Sequence, residues 1–200
     1  MGYGDSGRIQ TRSGITCGDL ELVDVAALTG FIDDLNDQAS EMVDSYCGRD
    51  FEMHGTEAEP VLEMLDGTGH ERIRLAGYPV LSLSSVTLNS DNLAEGLSFA
   101  VLAKSGLLER IDHGSWTRGK RNVAVEYTYG YVNPPGAIVL VVEEMVTTAL
   151  LEAKKNWSVG GASSASMDGY TVAFAAVAGF LNLTSDRLNI LDRYRVATGA

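Results

Sequence analysis

The chain has 200 residues, of which 45% are hydrophobic, and a formal net charge of −12 at pH 7. A chain of this length can bury roughly 70% of its unfolded surface in a single core. No stretch reaches the ~20 apolar residues that a membrane span needs, and the first residues lack the apolar core of a signal peptide. The negative charge argues against nonspecific binding of duplex DNA by the whole surface.

The acidic balance has two open explanations. Only four lysines occur, against 27 acidic residues. The chain is either an ordinary acidic protein or one adapted to molar salt, where the Debye length shrinks to about 3 Å and self-repulsion fades. The two cysteines, Cys17 and Cys47, form no metal-binding or redox motif and fit a reduced, intracellular setting.

The N-terminal quarter of the chain predicts an arm followed by helices. Residues 1–18 are rich in Gly, Ser and Thr without periodicity, which predicts a flexible arm. A short helix is predicted near Asp19–Thr29. Gly48 predicts the end of a longer helix, since helices often stop at a left-handed residue. The apolar stripe of that longer helix has spacings of three and four residues and consists of Phe31, Leu35, Ala39, Met42, Val43 and Tyr46.

From about residue 57 to residue 131 the hydrophobic period is that of strands. Two hairpins are predicted. One joins Val61–Leu65 to Arg72–Leu75 around the turn Asp66–Gly69, and the other joins Phe99–Leu102 to Leu107–Ile111. Two further strands, Val80–Leu88 and Asn122–Tyr129, complete a small antiparallel sheet.

A second long helix is predicted over Pro135–Trp157, about 33 Å long at 1.5 Å per residue. Apolar residues occupy its main stripe and most of the remaining surface. A helix that is apolar on most sides lies inside a core or against neighbouring subunits. In a chain this small we favour subunits. The predicted subunit interface consists of Ile138, Val142, Met145, Val146 and Ala149.

The C-terminal region is predicted to contain a Gly/Ser-rich linker, Ser158–Ser166, a short strand, Tyr170–Phe174, and a terminal helix from Thr184 or Ser185. A helix this short is marginal on its own. An apolar stripe beside a basic edge suits a groove on another chain. We therefore predict a docking segment over about 184–200, and a helix folded back on its own core is the alternative. The predicted docking residues are Leu188, Leu191, Arg193, Tyr194 and Arg195.

Candidate catalytic and metal-binding motifs are weak. Gly4–Gly7 reads Gly-Asp-Ser-Gly, as around the nucleophile of chymotrypsin-like proteases, but no upstream domain supplies the histidine and aspartate. Asp66–His70 is explained by a hairpin turn and not by a dinucleotide fingerprint. The three histidines, His54, His70 and His113, lack the spacing of a helical metal site. We predict no catalytic residue, no cofactor site, no metal site and no enzymatic activity.

One cluster of positive charge occurs in this acidic chain. Arg118, Lys120 and Arg121 lie in a single loop directly after Trp116. The loop is either a solvated hairpin or an electrostatic contact with an acidic partner surface or with DNA phosphates. In the second case these four residues form a loop that faces a channel or a partner. Trp116 is expected to anchor the following strand by packing, with its indole N–H bonded to a partner.

The block from Trp116 to Tyr131 is followed closely by Pro134 and Pro135. Its pattern, W-x-x-G-x-x-N-V-x-V-x-Y-x-x-G-Y and then proline, resembles the head–tail connector (adaptor) proteins of tailed viruses. Gly130 is expected to end the strand, because glycine adopts a positive φ at little cost. The similarity runs from about Leu28 to Tyr194. It includes Val43–Phe51, Gly77–Thr87, Gly106–Arg110, Asp168–Val172 and Ile190–Arg195.

The resemblance implies an α+β fold, in which a bundle of about three main helices carries an inserted antiparallel sheet. Residues 19–200 would form a single connector domain. Twelve copies would form a ring in the neck of the virion, between the portal protein and the next neck or tail protein, assembled in the host cytoplasm. Genomic DNA would pass through the ring channel without sequence-specific binding, and no membrane would be involved.

Two other functions stay open. Another neck or tail ring protein, of the head-completion or tail-terminator type, would share ring assembly and dock elsewhere. A small hydrolase is a third class, which would need a defined pocket with converging polar groups. The glycine-rich leader and the low lysine content depart from the family pattern. The low lysine content also fits a haloarchaeal host.

Overall fold

The computed structural model describes residues 2–20, 22–158 and 180–196, and the chain divides into two compact units. The helical unit contains Met1–Asp50 and Pro134–Ala200, and the β unit contains Phe51–Asn133. The predicted α+β fold class is confirmed. The predicted linker from residue 159 onward and the predicted strand over 170–174 lie outside the described residues. Within the described ranges, no helix is long and apolar enough to cross a bilayer.

The helical unit contains α1 (Ser6–Ser13), a 3-10 helix (Cys17–Leu20), α2 (Val25–Cys47), α3 (Gly136–Ser158) and α4 (Ser185–Leu191). α2 begins after Asp24, whose side chain accepts a hydrogen bond from Ala27 N at 2.8 Å. It ends before Gly48, as predicted. The short helix predicted near Asp19–Thr29 is replaced by the 3-10 helix and the first turn of α2.

The first residues of the chain have a defined structure, which corrects the prediction of a flexible arm over residues 1–18. Asp5 caps α1 by accepting a hydrogen bond from Arg8 N at 2.8 Å, and Ile9 is buried. Ahead of the helix, Gly4 N donates to Asn36 Oδ1 at 2.9 Å, and Asn36 Nδ2 donates to Gly4 O at 2.7 Å. The N-terminal segment is held by a side chain of α2 that is distant in sequence. The local composition of residues 1–18 therefore could not predict its structure.

The β unit contains two antiparallel sheets. A five-stranded sheet has the order β1–β8–β4–β5, with β2 also paired to β8, and a three-stranded sheet has the order β3–β7–β6. The strands are β1 (Met53–His54), β2 (Val61–Gly67), β3 (Arg72–Arg74), β4 (Val80–Leu88), β5 (Asp91–Asn92), β6 (Phe99–Leu102), β7 (Leu107–Arg110) and β8 (Gly119–Gly130).

One of the two predicted hairpins forms and the other does not. β6 and β7 pair as predicted, with Phe99 opposite Arg110 and Leu102 opposite Leu107. β2 instead pairs with β8 and β3 with β7, so the predicted pairing of 61–65 with 72–75 is wrong. The turn after β2 carries the chain from one sheet to the other, and Leu65 of β2 and Ile73 of β3 pack into the same hydrophobic core.

The core of the β unit takes residues from both sheets. Trp116 and Tyr127 are its largest fully buried side chains. Gly130 ends β8 with a φ of 98°, as predicted, and a Cβ at this position would lie 1.9 Å from Glu52 O. The buried cluster consists of Ile73, Leu75, Val80, Val86, Leu88, Phe99, Leu108, Trp116, Val123, Val125 and Tyr127.

Candidate functional site

The subunit interface predicted on α3 lies inside the helical unit. Ile138, Val142, Met145, Val146 and Ala149 are each 0% exposed, and α3 packs against α1, α2 and α4. These residues form the core of the chain itself and offer no surface to a neighbouring subunit, which corrects the prediction. The prediction was wrong because α1 and α4 cover this face of α3. The sequence predicts a flexible arm in place of α1 and a docking segment in place of α4, which would leave the face open.

α3 nevertheless presents an outward stripe, which we define as Leu140, Glu144, Leu151 and Lys155. Leu140 and Leu151 are 40% and 39% exposed, and Glu144 and Lys155 are also exposed. Spacings of four and seven residues return to nearly the same direction around an α-helix, so the four side chains share one face. Over residues 136–155, the outward stripe gives α3 an exposed, partly apolar face that can contact another molecule.

Glu143 lies beside this stripe but is buried, with 1% exposure. Its carboxylate accepts a hydrogen bond from Asp5 N at 3.4 Å and pairs with Arg12 Nη1 at 3.0 Å and Arg8 Nη1 at 3.7 Å. A buried carboxylate without partners is strongly unfavourable. Glu143 therefore holds α1 against α3.

Trp116 is fully buried in the β unit. Its Nε1 donates to Glu71 O at 3.1 Å, its ring centroid lies 6.3 Å from that of Phe99, and Arg110 Cζ lies 5.6 Å from the ring centroid. The side chain packs and finds a hydrogen-bond partner, as expected. It cannot contact a channel or a partner, which corrects its place among the partner-facing residues.

The three basic residues after Trp116, which we keep calling the basic loop, are not all in a loop: Arg118 precedes β8, whereas Lys120 and Arg121 lie on its first residues. All three side chains are exposed. Among the described residues none of the three forms an ion pair. Arg118 Nε donates to Thr68 O at a long 3.4 Å, and Arg121 N donates to Asp66 Oδ1 at 2.6 Å. The backbone of the loop is therefore held in place while its charged ends remain available.

Asn122 is the residue of this site that the sequence analysis missed. Its Oδ1 accepts from Gly67 N at 2.8 Å, and its Nδ2 donates to Thr117 O at 2.8 Å and to Asn89 Oδ1 at 3.1 Å. One side chain thus ties the basic loop to two neighbouring turns. In the sequence, Asn122 is visible as the asparagine of the W-x-x-G-x-x-N pattern.

α4 and the residues after it fold back on α2, in agreement with the alternative and not with the favoured docking segment. Leu191 is 0% exposed, and Leu188 and Tyr194 are half-buried. Val196 N donates to Cys47 O at 2.8 Å. Leu191 therefore belongs to the core of the helical unit, which corrects its predicted role in docking.

The two arginines of the predicted docking segment lie on the surface, unlike Leu191. Arg193 and Arg195 are exposed. Arg195 Cζ lies 5.3 Å from the ring centroid of Tyr46, and Tyr46 Oη donates to Asp192 Oδ1 at 2.6 Å. Nearby, burial raises the pKa of the Cys47 thiol to about 11, so this thiol stays protonated at neutral pH. In the described part of this segment, Arg193 and Arg195 are thus exposed basic residues that can meet a partner.

Arg187 is a second residue that the sequence did not reveal. It is 8% exposed. Its Nη2 donates to Glu144 O at 3.1 Å and Thr148 Oγ1 at 2.9 Å, and its Nη1 donates to Asn182 O at 2.9 Å. A buried arginine is tolerated only when its donors are paired. Arg187 thus fastens α4 to α3, and no local pattern around it signals this role.

The histidines are distributed over two places in the β unit. His70 and His113 line one cleft, whereas His54 stacks on Tyr129 with ring centroids 4.7 Å apart. In the parts of the chain that the structure describes, no group of three or more His, Cys, Asp or Glu side chains could hold a metal ion.

Comparison with known proteins gives similarity in structure only. No family model and no curated protein sequence matches the chain. It is similar to a chain from the neck of an empty GTA particle computed with C6 symmetry, with 12% identity, a TM-score of 0.46, and coverage of 88% of this chain and 80% of that chain. It is also similar to a chain from the neck of a native GTA particle computed with C12 symmetry, with 12% identity, a TM-score of 0.46, and coverage of 89% and 86%.

The buried carboxylate on α3 gives a first testable prediction. Glu143→Gln keeps the shape of the side chain but removes the charge that pairs with Arg12, and we expect it to lower the free energy of unfolding by about 1–3 kcal/mol. Arg12→Ala should lower the free energy of unfolding by less than the removal of a fully buried ion-pair partner would, because the Arg12 side chain is 46% exposed. Urea denaturation of the two single variants and the double variant measures the coupling between them.

The neighbouring carboxylate supplies the matched control. Glu144 is exposed, so Glu144→Gln should change the unfolding free energy by no more than about 0.5 kcal/mol. If both substitutions had the same small effect, the assigned role of Glu143 in holding α1 would be refuted.

Proposed function

We propose that this chain is a structural, non-enzymatic protein that forms a ring in the neck of a tailed virus particle, between the portal protein and the tail. The sequence resemblance to head–tail connector proteins supports the proposal, since it includes several motifs in a fixed order. The observation that carries it is the outward stripe of α3. Its two exposed leucines lie on a helix whose other apolar faces are already covered within the chain.

A ring built from one kind of subunit needs two different surfaces on each copy, because its contacts run head to tail. The outward stripe of α3 supplies one apolar surface on the helical unit. The β unit carries another on β2, where Leu62 and Met64 are 58% and 38% exposed. β2 pairs with β8 on one side, and the described residues place no strand on its other side. Natural proteins usually cover or protect such an edge.

The charge distribution fits passage of DNA through the ring. The acidic surface would repel phosphates and so keep DNA from being trapped in the channel, an effect that salt weakens. The basic loop would then meet the DNA backbone or an acidic neighbour at one place only. On the helical unit, Arg193 and Arg195 are the residues that we propose for contact with the portal protein.

The stoichiometry of twelve and the assembly in the host cytoplasm belong to this proposal and rest on the resemblance. A head-completion or tail-terminator protein is the alternative, because it would also form a ring. The two differ in what they bind. A connector would bind the portal protein directly, whereas the alternative would dock elsewhere in the neck or tail.

The experiment combines Leu140→Asp with Leu151→Asp in one variant. Both side chains are partly exposed, so the chain should remain folded, while a carboxylate in a desolvated subunit contact is strongly unfavourable. We expect native mass spectrometry and negative-stain electron microscopy, with and without the portal protein, to show rings for the natural chain. The double variant should remain a monomer.

The control is Leu97→Asp, since Leu97 is 76% exposed in the β unit and outside both proposed surfaces. It should assemble like the natural chain. Rings of the Leu140→Asp/Leu151→Asp variant at normal yield would remove α3 from the subunit contact. A natural chain that stays monomeric even with the portal protein would overturn the proposed function itself.

A further inference from the structure

The β unit contains a cleft of about 700 Å³ that no part of the proposed function uses. Its walls are the turn Gly69–Arg72 and the loop His113–Ser115. Backbone hydrogen bonds join the two walls, from Gly69 N to Trp116 O at 2.6 Å and from Trp116 N to His70 O at 2.9 Å. The cleft is therefore formed in advance of any ligand. We name it the cationic cleft for the side chains described next.

The cleft brings together basic side chains that are far apart in sequence. His70, Arg72 and His113 line it, and all three are exposed. At its rim, Arg118 packs over Gly69, where a Cβ would lie 3.0 Å from Arg118 Cγ. Neither histidine had been assigned a role from the sequence.

A further guanidinium lies beside Gly114, one of the residues that line the cleft. Arg110 has a side chain that is 9% exposed, and Arg110 Cζ would lie 3.2 Å from a Cβ at Gly114. Its Nε and Nη2 donate to Asp112 at 3.0 and 2.5 Å, and its Nη1 has no hydrogen-bond partner in the described structure. A Cβ at Gly114 would also lie 2.8 Å from Arg110 Nη2 and from Asp112 Oδ1, so the glycine keeps this ion pair close to the cleft wall.

Three carboxylates around the cleft, Glu71, Glu109 and Asp112, match its three arginines in formal charge. Glu109 accepts from Arg72 Nε at 2.9 Å and Nη2 at 2.7 Å, and Asp112 is held by Arg110. Both carboxylates are thus neutralised by arginines. Glu71 also lines the cleft. Arg118 balances Glu71. What remains for an anion is the N–H donors of the two histidines, Arg110 Nη1, and the charges of Lys120 and Arg121 next to the rim.

We propose that the cationic cleft binds a phosphate of the DNA backbone. Guanidinium and imidazole groups are the donors that proteins use for phosphate oxygens, and Ser115 adds a hydroxyl. The basic loop continues from the rim at Arg118 to Lys120 and Arg121. A chain of regularly spaced phosphates can occupy the cleft and the loop together, which an isolated carboxylate of a partner protein cannot do. This inference rests on the proposed function only in its choice of DNA as the source of the phosphate.

The three histidines of the chain provide a direct test by NMR. The imidazole signals of His70 and His113 should shift when a 20-base-pair DNA duplex is added to the full-length chain at low salt. The signals of His54, which stacks on Tyr129, should not shift. Two further titrations use inorganic phosphate and polyglutamate. We expect weak shifts of the same two histidines with millimolar phosphate and none with polyglutamate.

Variants test the cleft by affinity. His70→Ala combined with His113→Ala should weaken duplex binding at least about fivefold, because both imidazole donors to the phosphate are lost. Arg110→Met keeps an unbranched side chain against Trp116 and should also weaken binding. Lys104→Ala, an exposed basic residue outside the cleft, is the control and should bind like the natural chain.

Each other outcome overturns the inference. Shifts with inorganic phosphate but not with the duplex would assign the cleft to a free phosphate compound, and equal shifts with polyglutamate would assign it to an acidic protein. Unchanged histidine signals would show that the cleft binds neither the duplex, nor inorganic phosphate, nor polyglutamate. Ring formation is measured on the same samples. Ring formation without these shifts would therefore refute DNA binding by the cleft and leave the proposed function intact.

Discussion

Replacing Val142 with aspartate is expected to unfold the helical unit. Val142 is 0% exposed on the inner face of α3, so a carboxylate at this position would be removed from water. Burying an unpaired charge costs at least about 3–5 kcal/mol, which is a large part of the roughly 5–15 kcal/mol by which a domain is stable. Circular dichroism should show the loss of helix, and thermal unfolding should lose its cooperative transition.

Leu140→Asp is the matched control, because it places the same charge two residues earlier on the outward stripe. Its effect on the free energy of unfolding should be within about 1 kcal/mol, since the side chain is 40% exposed. The pair separates the two roles first considered for α3. If the Val142→Asp chain folded but failed to assemble, Val142 would be a subunit-interface residue, as first predicted, and not a core residue.

Replacing Trp116 with alanine is expected to lower the free energy of unfolding of the β unit by about 3–5 kcal/mol. The indole is fully buried between Phe99 and Arg110 and donates to Glu71 O. Removing it leaves a large cavity and takes away one hydrogen bond. The basic loop and the cationic cleft should lose their shape as well, because Trp116 backbone groups join the walls of the cleft.

Trp116→Phe separates packing from hydrogen bonding. Phenylalanine fills most of the volume but cannot donate to Glu71 O, which still accepts from Arg110 N at 2.8 Å. We expect a loss of about 1–2 kcal/mol, measured by urea denaturation followed by circular dichroism. If alanine cost no more than phenylalanine, Trp116 would not be the packing centre of the β unit.

The candidate site could be predicted in part. The basic loop was found because three positive charges in one short segment are visible in a sequence. The cationic cleft was not found, because His70 and His113 are 43 positions apart and meet only when the chain has crossed from one sheet to the other. Arg187 and Asn122 were missed for a similar reason, since their roles depend on carbonyl groups and amides that folding brings to them.

The sequence by itself determined the local elements of this protein. The end of α2 at Gly48, the strands β4 and β8, the β6–β7 hairpin and the span of α3 all follow from periodicity and from single glycines, which act within a few residues. The tertiary structure alone decided which surfaces are covered. An apolar face has the same pattern whether it packs against its own chain or against another. Only the fold shows that α1 and α4 cover α3, that β2 pairs with β8, and that the outward stripe remains for a partner.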